Sequence, residues 1–319
     1  MTCLRAAVHD YLAMRRNLGF KLKDAGPNLY DFVDFLEQNH RTFITQLLAL
    51  SWVQQFNNIQ PISQAIRLRS IRVFARYYRA FDPRTEIPSP DLLPVKAKRA
   101  RPYIYTEQEI TDLLHAASTM PYRYQNCALM PMTYYCFFGL LAVTGLRRSE
   151  ARNLELKDVD LKAGVLTIRN TKFGKTRLVP LHSSTCTVLA NYITRRQEHW
   201  KKYHKPGQQL SPCLFTTSRG KPLHQPNVYV VFCKLCLQVG LRKTIGRGGP
   251  RMHDMRHRFA TITLTKWYQT GQDPERLLPH LATYLGHADV KNTQWYLESC
   301  PELMRGAMSR LNKYWEDQL

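Results

Sequence analysis

Residues 82–94 read Asp-Pro-Arg-Thr-Glu-Ile-Pro-Ser-Pro-Asp-Leu-Leu-Pro, four prolines in thirteen positions. Proline has no backbone N–H and a fixed φ, so neither a helix interior nor a central strand can run through such a stretch. Lys96, Lys98, Arg99 and Arg101 follow it. The pattern predicts a basic, extended linker over 83–102, dividing the 319 residues into a unit at 1–82 and another at 103–319.

The first unit reads as helical. Val8, Tyr11 and Leu12 recur at helical spacing, as do Leu29, Phe32, Val33 and Leu36, with Gly26-Pro27 between the two sets. Ser51 is a candidate cap for a short third helix running to Phe56, and Ser63 for a longer fourth reaching Phe81. On that fourth helix Ile66, Val73, Phe74 and Tyr77 form the expected apolar face. Arg69, Arg72, Arg76 and Arg79 fall at i, i+3, i+7 and i+10, a separate basic stripe suited to a phosphate backbone. A solvated surface face is the plainer alternative.

The second unit mixes helix and strand. Thr106-Glu-Gln-Glu109 is a capping-box pattern that opens a helix through Ala117. From Tyr124 to Leu146 no residue is charged, long enough for a bilayer span. Pro131, Gly139 and Gly145 interrupt it, however, and its strongly apolar part, 134–143, is only ten residues, so a buried core helix is expected and no membrane partner. Residues 164–180 alternate around Lys172 and Lys175, which predicts a β-hairpin with a basic tip. The fold class expected is therefore mainly α with a small β-sheet.

Charge narrows the partners. The chain has 46 Lys and Arg against 24 Asp and Glu, a formal charge of +22, and so large a surplus on a foldable chain favours a polyanion, nucleic acid above all. The start Met-Thr-Cys-Leu-Arg lacks an apolar run, which predicts a cytoplasmic chain with reduced thiols. Cys233-x-x-Cys236 has no second pair at zinc spacing and is read as two neighbours on a helix. His253 and His257 are four apart, but Asp254 stands where a zinc protease needs Glu, and Arg256 between them would repel a cation. No metal or other cofactor is expected.

Four separated features remain: Arg147 after Thr144-Gly-Leu, the hairpin lysine, His253-Asp-Met-Arg256, and Leu285-Gly-His287 with Tyr296 nine residues on. Each alone is commonplace; their order and spacing in one basic chain are not. Together they resemble the tyrosine recombinase (phage integrase) family over nearly the whole chain. The match is by motif across 103–300 and by pattern only in the N-terminal helices, which look like that family's SAM-like core-binding domain. The Gly246-Arg-Gly-Gly-Pro250 loop before His253 is closer in look to transposon-borne members, and starting directly at the core-binding helices leaves no room for an arm-binding domain.

The resemblance implies a site-specific DNA recombinase that cuts and rejoins strands through a covalent 3′-phosphotyrosine, without metal or ATP. Arg147 and Arg256 would clamp the scissile phosphate, a task suited to an always-charged planar fork of donors, and His287 would add a hydrogen bond. Tyr296 would be the nucleophile; a tyrosine hydroxyl has a pKa near 10, so attack needs a base, for which His253 stands ready. Lys172 would protonate the leaving 5′ oxygen, with Lys175 the competing candidate. Glu150 matches a supporting acidic position that orients a basic partner.

Implied partners are double-stranded DNA carrying recombination sites and three further copies in a tetramer, with accessory or partner recombinases possible in principle, in a nucleoid-associated bacterial setting. Residues 301–315 predict an amphipathic helix with Leu303, Met304, Ala307, Met308, Leu311 and Trp315 on one stripe, packed either on its own unit or on a neighbouring protomer. Two other readings stay open: type IB topoisomerase-like relaxation by a monomer, and a recombinase-derived DNA-binding protein that no longer cuts.

Overall fold

The computed structural model describes residues 3–93, 101–169, 176–205, 207–246, 248–287 and 289–299, together with Met308 and Trp315. Lys98, Arg99, Lys172, Lys175 and most of the predicted terminal helix lie outside the described residues. The chain forms two compact units, Met1–Ala100 and Arg101–Leu319.

The first unit contains α1 (Leu4–Asn17), α2 (Ala25–Gln38), α3 (Gln46–Gln54) and α4 (Pro61–Tyr78). Gly26 and Pro27 fall in the first turn of α2, where a missing N–H is harmless. Its core gathers Leu12, Phe32, Leu36, Trp52, Ile71 and Phe74, with Trp52 edge-on to Phe32 at 5.3 Å between centroids.

Three local expectations change here. Thr45, not Ser51, caps α3: its Oγ1 accepts from Leu48 N–H at 3.2 Å, and Ser51 lies inside the helix. Pro61 opens α4 rather than Ser63, since its fixed φ suits a first helical position. The buried face of α4 is Leu68, Ile71, Phe74, Ala75 and Tyr78, whereas Ile66 and Val73 are 54% and 37% exposed and share the outer side with Arg69 and Arg76.

Residues 83–93 do not run as an extended linker; they fold back on the helices. Thr85 and Pro88 are buried, Glu86 N–H donates to Ile44 O at 2.8 Å, and Leu92 and Leu93 pack on the core. Arg72 fastens this return, donating from Nε to Pro88 O and from Nη2 to Ser89 O, both at 2.7 Å.

The second unit contains α5 (Glu107–Ser118), α6 (Met130–Thr144), α7 (Arg148–Asn153), β1 (Val159–Asp160), β2 (Val165–Ile168), β3 (Arg177–Pro180), α8 (Ser183–Tyr203), α9 (Gln225–Gln238), α10 (Met252–Gln269), α11 (Pro274–Leu285) and α12 (Lys291–Ser299). Thr106 caps α5 in a full capping box with Glu109. The uncharged stretch is α6, and it runs through the core: Phe137 meets Phe215 at 5.4 Å and Phe138 meets Phe232 at 5.7 Å. Its buried Thr133 hydroxyl donates to Leu129 O at 3.0 Å, so this polar group is satisfied within the helix.

The sheet is antiparallel in the order β1-β2-β3. Leu166 pairs with Val179 and Ile168 with Arg177, so the predicted hairpin is present, with a two-residue strand added on its open side. Cys233 and Cys236 are both fully buried on α9, and burial pushes the Cys236 thiol up to about 12, far from thiolate chemistry.

Candidate active site

Two glycines in the left-handed conformation build the site. Gly145 (φ 61°) ends α6 and Gly286 (φ 68°) ends α11, each turning the chain out of a buried helix straight into a motif residue, Arg147 or His287. Each is also approached too closely for a side chain. A Cβ on Gly145 would sit 2.8 Å from the Phe259 ring, and one on Gly286 would sit 2.8 Å from Arg177 Nη1.

Arg147 is the N-cap of α7, and its backbone N–H donates to Glu150 Oε2 at 2.9 Å. Its Nη1 donates to Glu150 Oε1 at 2.7 Å and its Nη2 to Gly286 O at 2.9 Å. Three of its five N–H donors remain beyond these two side-chain bonds among the described residues. Arg256, on α10, is 2% exposed and is held by two backbone carbonyls: Nη1 donates to Gly145 O at 2.9 Å and Nη2 to Leu285 O at 2.6 Å. Among the described residues it has no ion-pair partner, so a buried cation stands ready for an external anion. Burial, and next the charge of Arg147, lower it to about 10, still charged at neutral pH.

His287 Nδ1 and Thr293 Oγ1 are 2.7 Å apart, which fixes the ring. Burial, then the charges of Arg256 and Arg147, push its pKa down to about 3. His253, in the first turn of α10, keeps much of its surface open to solvent. Desolvation of its packed side and the neighbouring Arg256 lower it in the same direction, to about 4. Both imidazoles are therefore neutral at pH 7, able to accept a proton.

Tyr296 is 2% exposed on α12, its ring 5.3 Å from His257 and nearly parallel to His287 at 6.2 Å. His257 stacks edge-on against His253 at 4.8 Å and Trp295 at 5.3 Å, in keeping with a packing role. Arg147, Glu150, His253, Arg256, His287 and Tyr296 thus all belong to one connected cluster of contacts and charge interactions.

The cluster includes one residue the sequence reading passed over. Arg177 donates from Nη1 and Nη2 to the two oxygens of Glu150 at 3.1 and 2.8 Å, and from Nε to Tyr284 O at 2.6 Å. Burial drives the Glu150 carboxyl upward, but the bonds and charge of Arg177 and Arg147 outweigh it and hold the carboxyl below its usual value. The signal was strand alternation: with Val179 facing inward, period two puts Arg177 on the same inner face and Leu178, 64% exposed, outside.

Of the DNA-contact candidates, Arg69, Arg76, Arg79 and Arg101 are exposed, while Arg72 is taken up by the bonds to Pro88 and Ser89. A cavity of about 470 Å³ beside the cluster is lined by Arg147, Glu150, Lys157, Asp158, Thr167 and Arg169.

Comparison with known proteins places the chain in a family. Residues 104–302 match the phage integrase family. A putative integrase/recombinase of Sinorhizobium fredii, y4rB, is 54% identical over 318 residues, covering 100% of both chains. Tyrosine recombinase XerD of Bifidobacterium longum is 30% identical, over 76% of this chain and 73% of its own. Among solved structures, the Tn1549 transposon integrase in complex with transposon right end DNA shares the fold at a TM-score of 0.62 and 19% identity, over 96% of this chain and 99% of that one. The chain belongs to the phage integrase family, as a tyrosine-type site-specific recombinase.

Proposed function

We propose that this recombinase cuts and rejoins duplex DNA at specific sites through a covalent 3′-phosphotyrosine at Tyr296, with no metal or ATP in the reaction. The observation that carries the reading is the tying of Arg147 and Arg256 to the two glycine turns, through Gly286 O and Gly145 O, that also present His287. Two fixed cations and a neutral imidazole then meet a phosphate with little reorganisation, which is the form of catalysis that contributes most in such sites.

In the proposed step the Tyr296 oxygen attacks phosphorus and loses its proton to His253. The bond from phosphorus to the 5′ oxygen breaks, and Lys172, or Lys175 in its place, gives that oxygen a proton. Arg147, Arg256 and His287 donate to the non-bridging oxygens as charge builds there. The bound phosphate offsets the field of the arginines and raises His253 toward neutrality, where a base works best. A 5′-hydroxyl from a second strand reverses the step, so the phosphodiester energy is kept and no ATP is needed.

DNA binding is assigned to both units: Arg69, Arg76 and Arg79 of the helical unit, read as a core-binding domain, with Lys98, Arg99 and Arg101 of the connection, follow the phosphate backbone. Relatives solved on DNA, among them the XerH recombinase on its difH substrate, support duplex DNA as the partner. A tetramer on two sites, tied together by the expected helix at 301–315 docking onto neighbouring protomers, is part of the same proposal, and the likeness to a transposon integrase supports a role in moving an element.

The test is a supercoiled plasmid carrying two direct copies of the boundary sequence of the locus that encodes this chain. Recombination gives two smaller circles; relaxation without deletion products indicates topoisomerase-like action; binding with neither indicates a protein that no longer cuts.

A further inference from the structure

We infer that Arg177 is a positioning residue for strand cutting, holding Arg147 and His287 in one geometry through Glu150 and the Gly286 turn; this rests on the function proposed above. Arg177 heads β3, and all three of its guanidinium nitrogens are engaged within the protein, by Glu150 and Tyr284 O. Its contacts close a ring of four residues. It forks onto Glu150; Glu150 accepts from Arg147; Arg147 donates to Gly286 O; and the Arg177 guanidinium lies so close to Gly286 that a Cβ there would sit 2.8 Å from it. The Nε bond to Tyr284 O pins the last turn of α11, two residues before Gly286.

The geometry explains why a second arginine is needed. A carboxylate facing one guanidinium takes it bidentately, with two parallel bonds. Arg177 occupies both oxygens of Glu150, so Arg147 contributes only Nη1 to a shared oxygen and keeps Nη2 on Gly286 O. Without Arg177 the carboxylate is open to a full fork with Arg147, which would draw its donors off the phosphate and release the turn that presents His287. Buried ion pairs add little net stability over apolar packing, so the value of this one lies in placement.

The test follows denaturant-resistant adduct formation by the full chain on a nicked duplex from the boundary of its own locus, alongside binding to the same duplex. Arg177→Met is expected to slow the adduct rate about 100-fold, the usual loss for a small misplacement, while affinity for the duplex changes by less than about threefold. Arg177→Lys keeps the charge and the fold but cannot make the fork, and is expected about tenfold slow. Adding Glu150→Gln to Arg177→Met is expected to slow it little further, because the two act as one unit. A role in folding alone would lower the melting temperature of the variants and leave the rate of the folded fraction unchanged. Wild-type rates from folded Arg177→Met or from Arg177→Lys overturn this inference and leave the proposed function standing; no adduct from the wild-type chain overturns both.

Discussion

The Arg147 guanidinium donates to the Gly286 carbonyl oxygen at 2.9 Å, joining two motifs that stand 139 positions apart in the chain. This bond ties the turn after α6 to the turn after α11, so the proposed phosphate clamp and His287 move together.

Gly286→Ala is expected to do more harm than backbone strain alone. Gly286 and Gly271 have nearly equal φ, 68° and 70°, but a Cβ at Gly271 meets nothing within 4 Å. Each alanine should cost about 1–2 kcal/mol for its left-handed backbone. Only Gly286→Ala should also displace Arg177 and slow adduct formation; denaturant melts and cleavage rates of the two variants separate the effects. Equal cleavage by both would show that the close approach at Gly286 does not matter.

Glu150→Gln removes the single carboxylate between two guanidiniums. Breaking a buried pair from one side leaves an uncompensated charge, so a loss of about 3–5 kcal/mol in unfolding free energy is expected. Urea denaturation measures it, and a loss below about 1 kcal/mol, the range of an exposed pair, would mean that the network is solvated in solution.

Much of this site was legible in the chain, and the exceptions have physical causes. The catalytic candidates stood out because each chemical task demands a residue type, and those types recur in a fixed order. Arg177 was passed over because an arginine in a strand reads as a surface residue until its inward neighbour Val179 fixes the phase. On α4 two apolar stripes overlap, one through Ile66 and Val73 and one through Leu68, Ile71 and Tyr78. Periodicity cannot choose between them; packing against α2 and α3 does. The prolines at 83–90 kept an α-helix out and left only a single 3-10 turn at Pro90–Leu92, yet that does not exclude packing, and Arg72 supplies the bonds that hold this stretch down. The start of α3 was misplaced because Ser51 has capping chemistry too, and only the fold shows that Thr45, six residues earlier, is the cap.

Arg72 and its neighbours on α4 should therefore part company on mutation. Arg69→Ala and Arg76→Ala are expected to leave stability intact and each reduce the slope of log affinity against log salt by about 1. Arg72→Ala is expected to destabilise the helical unit by about 2 kcal/mol, through loss of its charged bonds to Pro88 O and Ser89 O. Salt titrations and melts of the three variants check this, and an Arg72→Ala protein of unchanged stability would contradict it.

Stability should fall in acid through the two depressed histidines. An unfolded histidine titrates near 6.5, whereas His253 and His287 are lowered to about 4 and about 3. Between those values the unfolded chain binds more protons, so the stability present above pH 6.5 is lost as pH drops toward 4. His287→Asn should flatten the decline in denaturation midpoint between pH 7 and pH 5. An equally steep decline in that variant would assign the effect elsewhere.

In the proposed reaction Tyr296 becomes covalently joined to DNA, and that bond can be read directly. The full chain is incubated in EDTA with a nicked duplex from the boundary of its locus, and the adduct is digested and sequenced by mass spectrometry. The expected product is a nucleotide attached to Tyr296, through its 3′ phosphate, that disappears in Tyr296→Phe. An adduct at another residue, or one that persists in Tyr296→Phe, would contradict it.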